Sequence, residues 1–155
     1  MDERTIEREI EIAASPATVF EVITHPKHLK EWWPDEAHLD PTPGSVGRLV
    51  FGDPSSPDAH IPEITVVDAV PSQLFSFRWV YPDGETATAD NSLLVTFELT
   101  ALGDRSTLLR MTETGWDAKA WTPAERDQER RDHVAGWDHF IPRLGTYAPT
   151  AAATA

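Results

Sequence analysis

The stretch ASPATVFEVITHPKHLKEWWPD, residues 14–35, predicts two short helices. Ser15 suits an N-cap and Pro16 suits the first helical position, and apolar side chains follow at helical spacing. Pro26 opens a second helix, and Pro34 must end it because proline disfavours helical geometry in the residue before it. The second helix therefore ends on two adjacent tryptophans, which raises the question of what those rings contact.

One strand precedes these helices and several follow them. Residues 6–12, IEREIEI, place Ile6, Ile10 and Ile12 on one face of a period-two pattern that Arg8 interrupts. Five further extended runs are separated by turns rich in Pro, Gly and Asp, which predicts a meander of antiparallel strands. These runs are VGRLVF (46–51), HIPEITVVDAV (60–70), LFSFRWVY (74–81), NSLLVTFELT (91–100) and RSTLLRMTETG (105–115).

A long helix is predicted near the end of the chain, where residues 121–147 are WTPAERDQERRDHVAGWDHFIPRLGTY. Thr122 and Glu125 form a capping-box pattern, with a proline between them at the first helical position. An apolar stripe then follows the helix, and Pro142 is expected to kink it. The stripe consists of Val134, Trp137, Phe140, Ile141 and Leu144. Residues 148–155 form an Ala/Thr-rich tail that is expected to be disordered.

The composition favours one acidic domain. Residues 1–147 are long enough for a single domain with a sizeable core. The 26 acidic and 13 basic residues give a net charge of -13, which opposes binding to nucleic acid or to anionic membranes. The chain contains no cysteine, which excludes disulfides and zinc–thiolate sites. No signal segment or membrane span is evident, so the cytoplasm is the expected location.

The elements follow the order of one strand, two short helices, about five strands and one long helix. This order predicts an α+β fold in which a curved antiparallel sheet of about six strands wraps around the long C-terminal helix. The two short helices then close one end of the sheet. The aromatic faces of the strands converge on the apolar stripe of the helix, where they either fill a core or leave a cavity.

Four stretches carry a family resemblance: IEIAASPATVFEVITHPKHLKEWW (10–33), LFSFRW (74–79), LLRMTETGW (108–116) and GWDHFIPRLGTY (136–147). They resemble the START-like, helix-grip superfamily known as SRPBCC, and most closely its branch of activators of heat-shock-protein ATPase, the Aha type. The resemblance implies the helix-grip fold for nearly the whole chain. It leaves function open, because this fold carries lipid binders, polyketide cyclases and aromatases, hydrolases and co-chaperone domains.

Apolar side chains that converge on the predicted cavity are the candidates for ligand contact. Aromatic and Met side chains form adaptable walls, although the same pattern occurs in ordinary cores. The resemblance implies that the second short helix lies at the cavity rim, so its tryptophans either gate a ligand or seal the sheet. The candidate lining is Trp32, Trp33, Phe75, Phe77, Trp79, Met111, Trp137, Phe140 and Ile141.

Glu113 is the strongest single candidate for a catalytic or ligand-binding role, because strand alternation places it on the inward face with Leu109 and Met111. A desolvated carboxylate there could act as a general acid or base, or could fix the polar end of a ligand. It could instead be structural, paired with an inward Arg8 or with a tryptophan N–H. Arg8 is the expected partner, so Glu113 and Arg8 form the candidate catalytic pair.

The six histidines do not form the pattern of a metal site. They are His25, His28, His38, His60, His133 and His139. No pair has the four-residue offset of an HExxH site, and the last two lie on different faces of their helix. His38 and His60 are expected in loops near the cavity mouth. No nucleotide-binding or nucleophile-elbow motif is present, so neither a metal nor a cofactor is expected.

Three functions are compatible with the sequence. The first is non-enzymatic binding of a hydrophobic small molecule such as a lipid, a polyketide or an aromatic metabolite, and the sequence favours it over an enzyme. The second is a cyclase- or aromatase-like enzyme in which Glu113 moves a proton on a polyketide-like substrate. The third is an interaction module for a chaperone partner, which only the family resemblance suggests. A homodimer would fit any of the three.

Overall fold

The computed structural model describes residues 5–82 and 84–153. Three helices and seven strands are assigned within these residues. In chain order, the elements are β1 (Thr5–Ile12), α1 (Pro16–Thr24), α2 (Pro26–Trp32), β2 (Glu36–His38), β3 (Val46–Val50), β4 (Glu63–Val70), β5 (Leu74–Trp79), β6 (Leu93–Gly103), β7 (Ser106–Thr114) and α3 (Pro123–Ala153).

The strands form one antiparallel sheet in the order β1-β7-β6-β5-β4-β3-β2. The predicted α+β helix-grip architecture is confirmed, with a curved sheet, a long C-terminal helix and two short helices after the first strand. The expected number of strands was low by one, since β2 was not predicted. A strand of three residues is too short to show an alternating pattern, so His38 lies at the end of β2 and not in a loop.

Side-chain caps fix the starts of the helices. Ser15 Oγ accepts a backbone N–H from the first turn of α1 at 3.2 Å, and His25 Nδ1 accepts the N–H of Lys27 at the start of α2, also at 3.2 Å. The capping box of α3 is formed in both directions. The Thr122 N–H donates to Glu125 Oε1 at 3.0 Å, and the Glu125 N–H donates to Thr122 Oγ1 at 3.2 Å. The caps at Ser15 and Thr122 confirm the predicted helix starts.

The hydrophobic core lies between the inner face of the sheet and helix α3. Alternate residues of the central strands point inward, as their period-two pattern predicts. The inward set includes Phe75, Phe77, Leu93, Val95, Phe97, Leu109 and Met111, all at most 1% exposed. Helix α3 covers them with its buried residues Trp137, Ile141, Leu144 and Ala148. Among the described residues, no helix is both long and apolar enough to cross a membrane.

Helix α3 extends further than the sequence analysis predicts. It continues through Pro142 to Ala153, and Ala148 and Ala151 are buried in the core. The expectation of a disordered tail is therefore wrong for residues 148–153, while residues 154–155 lie outside the described residues. The physical reason is that alanine is the best helix former, and these two alanines are three apart and so share the buried face. The kink at Pro142 stays a prediction.

The packing of β3 against β2 generates a stability prediction. A Cβ atom added at Gly47 would lie 2.3 Å from the backbone carbonyl oxygen of His38, whereas a Cβ atom at Gly103 would meet nothing within 4 Å. Gly47→Ala is therefore expected to lower the free energy of unfolding by about 1–3 kcal/mol, because the two strands must move apart. Gly103→Ala is the matched control, expected to stay within about 0.5 kcal/mol of wild type. Urea unfolding of both variants measures this difference, and equal stabilities would contradict the packing described here.

Candidate functional site

The centre of the candidate site is a buried carboxylate on β7. The side chain of Glu113 has 0% exposure, and it accepts hydrogen bonds from three side chains on β5 and α3. Trp79 Nε1 donates to Oε2 at 2.7 Å, and Trp137 Nε1 donates to Oε1 at 3.0 Å. His133 Nδ1 lies 2.9 Å from Oε1 and 3.0 Å from Oε2. The carboxylate of Glu113, on β7, therefore connects this strand to β5, two strands away in the sheet, and to helix α3.

The donor types determine the protonation pattern of this network. An indole nitrogen can only donate, so both oxygens of Glu113 act as acceptors. A protonated His133 completes the arrangement because an imidazolium donates from both ring nitrogens. Its second nitrogen, Nε2, lies 3.5 Å from Glu129 Oε2, one helical turn earlier on α3. His133 therefore bridges a fully buried carboxylate and a partly exposed one.

The pKa of His133 follows from two opposing effects. Burial alone would lower the pKa, because a desolvated imidazolium is costly. The hydrogen bonds to Glu113 and Glu129, together with the negative charges of these residues, outweigh the burial and raise the pKa to about 9. The same contact with His133 lowers the pKa of Glu129. At neutral pH, His133 is therefore a cation held between two anions.

Arg8 is not the partner of Glu113, so the predicted Arg8–Glu113 pair is wrong. Its Nε donates to Asp138 Oδ1 on α3 at 2.7 Å, in an ion pair that is partly exposed. The register of β1 against β7 gives the reason: Ile6 lies opposite Glu113, while Arg8 lies opposite Met111. The alternative that the sequence left open, a tryptophan N–H, is confirmed by two indoles.

The paired tryptophans at the end of α2 have different surroundings. Trp32 is 0% exposed, and its Nε1 donates to the carbonyl oxygen of Val22 at 3.0 Å, which fastens α2 to α1. Trp33 is 7% exposed and lies at the centre of an aromatic cluster. Its ring centroid is 5.4–6.1 Å from those of Trp32, Phe51, Phe77, Trp79 and Trp137. Trp32 is therefore a core residue, whereas Trp33 packs against the core and also lines the pocket beside it.

A pocket of about 860 Å³ opens where Trp33, the end of β5, the loop that follows β3 and helix α3 meet. Its lining combines aromatic walls with polar groups. The aromatic residues are Trp33, Phe51, Trp79, Tyr81, Trp121, Trp137 and Phe140. The polar and charged residues are His60, Lys119, Glu129, Asp132 and His133. Glu113 is not part of the lining, because Trp79, Trp137 and His133 lie between its carboxylate and the pocket.

The predicted ligand-contact residues divide into two groups. Trp33, Trp79, Trp137 and Phe140 line the pocket. The remaining candidates lie in the core and not in this lining: they are Trp32, Phe75, Phe77, Met111 and Ile141. Strand alternation predicts which face of the sheet a residue occupies. It does not predict whether that position along the strand lies in the core or at the pocket. The inward residues of β5 therefore pass from core to pocket between Phe77 and Trp79.

His133 is the functional candidate that the sequence analysis missed. A signal was present, because Glu129, His133 and Trp137 follow one another at four-residue intervals and so share one face of α3. Once Trp137 was predicted to point inward, His133 was predictable as its neighbour. The expected position of His60 near the cavity mouth agrees with its place in the pocket lining, whereas His38 is not part of that lining. Phe51 was harder to foresee, since a single bridge to His60 across a loop places it there. Among the described residues, no cluster of three or more potential ligands could hold a metal ion.

Comparison with known proteins identifies the family of the chain. The family model described as activator of Hsp90 ATPase homolog 1-like protein matches residues 13–148. The chain belongs to this family. No curated protein matches the sequence.

Solved structures show the same fold at low sequence identity. A crystal structure of a Mesorhizobium loti protein has a TM-score of 0.71 at 22% identity, covering 92% of this chain and 95% of that one. The solution structure of the Aha1 dimer from Colwellia psychrerythraea has a TM-score of 0.69 at 19% identity, covering 93% and 95%. DynU16, a protein of the dynemicin biosynthetic locus, has a TM-score of 0.69 at 23% identity, and the match covers 96% of this chain but only 48% of DynU16. These similarities confirm the fold of this activator-of-Hsp90-ATPase-like domain.

The raised pKa of His133 predicts a pH dependence of stability. The folded-state pKa of about 9 lies above the ordinary value of 6.5, so the stabilisation is complete below pH 6.5 and is lost as pH rises through 9. Its full size is about 3 kcal/mol. In urea unfolding between pH 6 and 10, wild type should lose stability relative to His133→Gln, which lacks this titration. His139→Gln, an exposed histidine on the same helix, should follow wild type. Parallel curves for wild type and His133→Gln would contradict the assignment.

Removing the charge of Glu113 should be strongly destabilising. In Glu113→Gln, the amide NH2 group would face an indole N–H or the imidazole, and the charge of His133 would lose its buried partner. The free energy of unfolding at pH 7 is expected to fall by about 3 kcal/mol or more. Glu98→Gln, on the exposed face of the adjacent strand, should stay within about 0.5 kcal/mol of wild type. If Glu113→Gln lost no more unfolding free energy than Glu98→Gln, the buried network would not be needed for stability.

Proposed function

We propose that this protein binds a hydrophobic small molecule in the pocket between helix α3, the end of β5 and the loop after β3. The observation that carries the proposal is the pocket itself, with a volume of about 860 Å³ and aromatic walls. Binding sites for small molecules in proteins have volumes of about 300–1,000 Å³ and combine apolar walls with a few polar groups. This pocket meets both criteria.

The walls of the pocket are held in place before any ligand arrives. Two of its indoles, Trp79 and Trp137, donate hydrogen bonds to the buried Glu113. Trp33 packs between both of them, with centroid distances of 5.5 Å and 5.4 Å. Rings fixed in this way lose little conformational freedom on binding, which favours affinity. The buried carboxylate thus supports binding as a positioning group.

The enzyme alternative receives less support from the geometry. Glu113 is the group proposed for proton transfer, yet it is fully buried and surrounded by three donors. A general acid or base must reach the substrate within hydrogen-bond distance, directly or through one water. Glu113 has no such access in this arrangement. Binding without catalysis therefore accounts for the site better than a cyclase-like reaction does.

The protein-interaction alternatives rest on relatives. Membership of the activator-of-Hsp90-ATPase-like family supports a chaperone partner as a proposal, and the Aha1 dimer of Colwellia psychrerythraea supports a homodimer. Neither is tied to a particular surface of this chain. The proposal of a small-molecule site differs, because named residues and a defined volume carry it.

Gly136 offers a direct test of binding. It lines the pocket on α3, and a Cβ atom there would meet nothing within 4 Å. Gly136→Phe should project a benzyl group into the pocket and block ligand binding while the fold is kept. Gly136→Ala is the matched control: it should retain binding and raise stability by up to about 1 kcal/mol through helix propensity. Native mass spectrometry of freshly purified protein, followed by thermal-shift assays with lipids and aromatic polyketides, measures binding in all three proteins.

The expected result is a bound mass, or a ligand-induced thermal shift, in wild type and Gly136→Ala only. Equal binding by folded Gly136→Phe would place the ligand elsewhere. The absence of both a bound mass and any thermal shift in wild type would overturn the proposal and favour the interaction module.

A further inference from the structure

Both cationic side chains in the pocket lining, Lys119 and His133, already contact acceptors of the protein itself. His133 directs one ring nitrogen to Glu113 and the other to Glu129. Lys119 Nζ donates to the backbone carbonyl oxygen of Asn91 at 3.1 Å. An anionic ligand would therefore have to compete with existing contacts of both cations. His60 is the other histidine in the lining, and its ring is stacked on that of Phe51 with a centroid distance of 6.0 Å.

Acceptors, by contrast, remain available in the same lining. Glu129 and Asp132 are three residues apart on α3, so they share a face of the helix, and both line the pocket. Glu129 uses Oε2 for its contact with His133, and its side chain is 45% exposed. Asp132 accepts one hydrogen bond, from Gln128 to Oδ1 at 3.0 Å. The second oxygen of each carboxylate has no partner among the described residues.

The balance of charge around the pocket is negative. Its cations are Lys119 and His133, and its carboxylates are Glu129, Asp132 and, behind the wall, Glu113. The whole chain carries a net charge of -13. A cationic ligand is therefore attracted over a distance as well as at the site, whereas an anionic ligand is repelled.

The aromatic walls also suit a cation. The Lys119 ammonium group already lies 5.3 Å from the centroid of the Trp121 ring, in a cation–π arrangement at the pocket edge. Indole is the best of the aromatic side chains for this interaction. Trp33, Trp79 and Trp137 provide three further indoles in the lining. A ligand ammonium would find both carboxylate oxygens and indole rings within one pocket.

We infer that the ligand class is a hydrophobic molecule with a cationic nitrogen, an amine or a quaternary ammonium group. The charged nitrogen lies beside Glu129 and Asp132, and the apolar part packs against the indoles. This inference rests on the proposed function, since it names the chemistry of the occupant of the same pocket.

Three probes of similar size test the inference on the full chain. They are (1-naphthylmethyl)trimethylammonium, its uncharged isostere 1-neopentylnaphthalene, and the anion 1-naphthylacetate. Titrations followed by amide chemical shifts in NMR spectra give the affinity of each probe. The cation should bind about tenfold more tightly than the uncharged isostere, and the anion should bind most weakly.

Variants connect the preference to particular residues. Glu129→Gln and Asp132→Asn should each reduce the affinity for the cation about threefold or more, and should reduce the affinity for the uncharged isostere by a smaller factor. Asp127→Asn, an exposed carboxylate on the same helix, is the control and should change neither affinity. Lys119→Gln should strengthen binding of the cation, because it removes the competing ammonium group.

The outcomes separate this inference from the proposed function. If the uncharged isostere binds and Gly136→Phe abolishes that binding, the pocket is a ligand site. Equal or tighter binding of the isostere relative to the cation would then overturn the charge preference alone. If none of the probes shifts a pocket resonance, the inference is overturned, while the proposed function is decided by the native mass spectra and thermal shifts described above. If the cation binds equally well to Gly136→Phe, its site lies outside the pocket and the inference is overturned.

Discussion

The buried carboxylate of Glu113 is the constraint on which the site depends. Removing a charge from water costs several kcal/mol, and only close partners repay it. Here the partners come from β5 and from two successive turns of α3, so the carboxylate is satisfied only when the sheet and the helix are correctly aligned. A packed apolar interface would tolerate a small shift of the helix more easily. The network therefore sets the position of α3 on the sheet.

This alignment produces the pocket. Trp79 and Trp137 are each fixed at their nitrogen by Glu113, and Trp33 packs against both rings. The chain then turns away from the sheet directly after Trp79, because Val80 has a φ of 59° and cannot continue the strand. Strand β5 therefore ends at Trp79, whose ring lines the pocket. Val80, Tyr81 and Pro82, which follow Trp79, line the pocket beside α3.

Much of the fold could be predicted from local patterns, because caps, alternation and helical spacing act over a few residues. Ser15, Thr122 and the inward position of Glu113 belong to this class. The identity of the partner of Glu113 does not, since it depends on the register of β1 and on the rotation of α3. Arg8 was the reasonable choice on charge alone, yet its position opposite Met111 directs it to Asp138. Likewise, the period-two pattern placed Phe77 and Trp79 on one face without distinguishing core from pocket.

The same geometry argues against a catalytic role for Glu113. It makes His133 the charged group that lies between Glu113 and the pocket. Each oxygen of Glu113 already accepts an indole hydrogen bond, so taking up a proton would set an O–H group against an N–H donor. His133 is the charged member of the network that lines the pocket, and its pKa of about 9 keeps it protonated at neutral pH. Its positive charge is balanced by Glu113 within the wall, so the remaining charges in the pocket lining are those of Lys119, Glu129 and Asp132. The buried carboxylate thereby sets both the alignment of α3 on the sheet and the balance of charge beside the pocket.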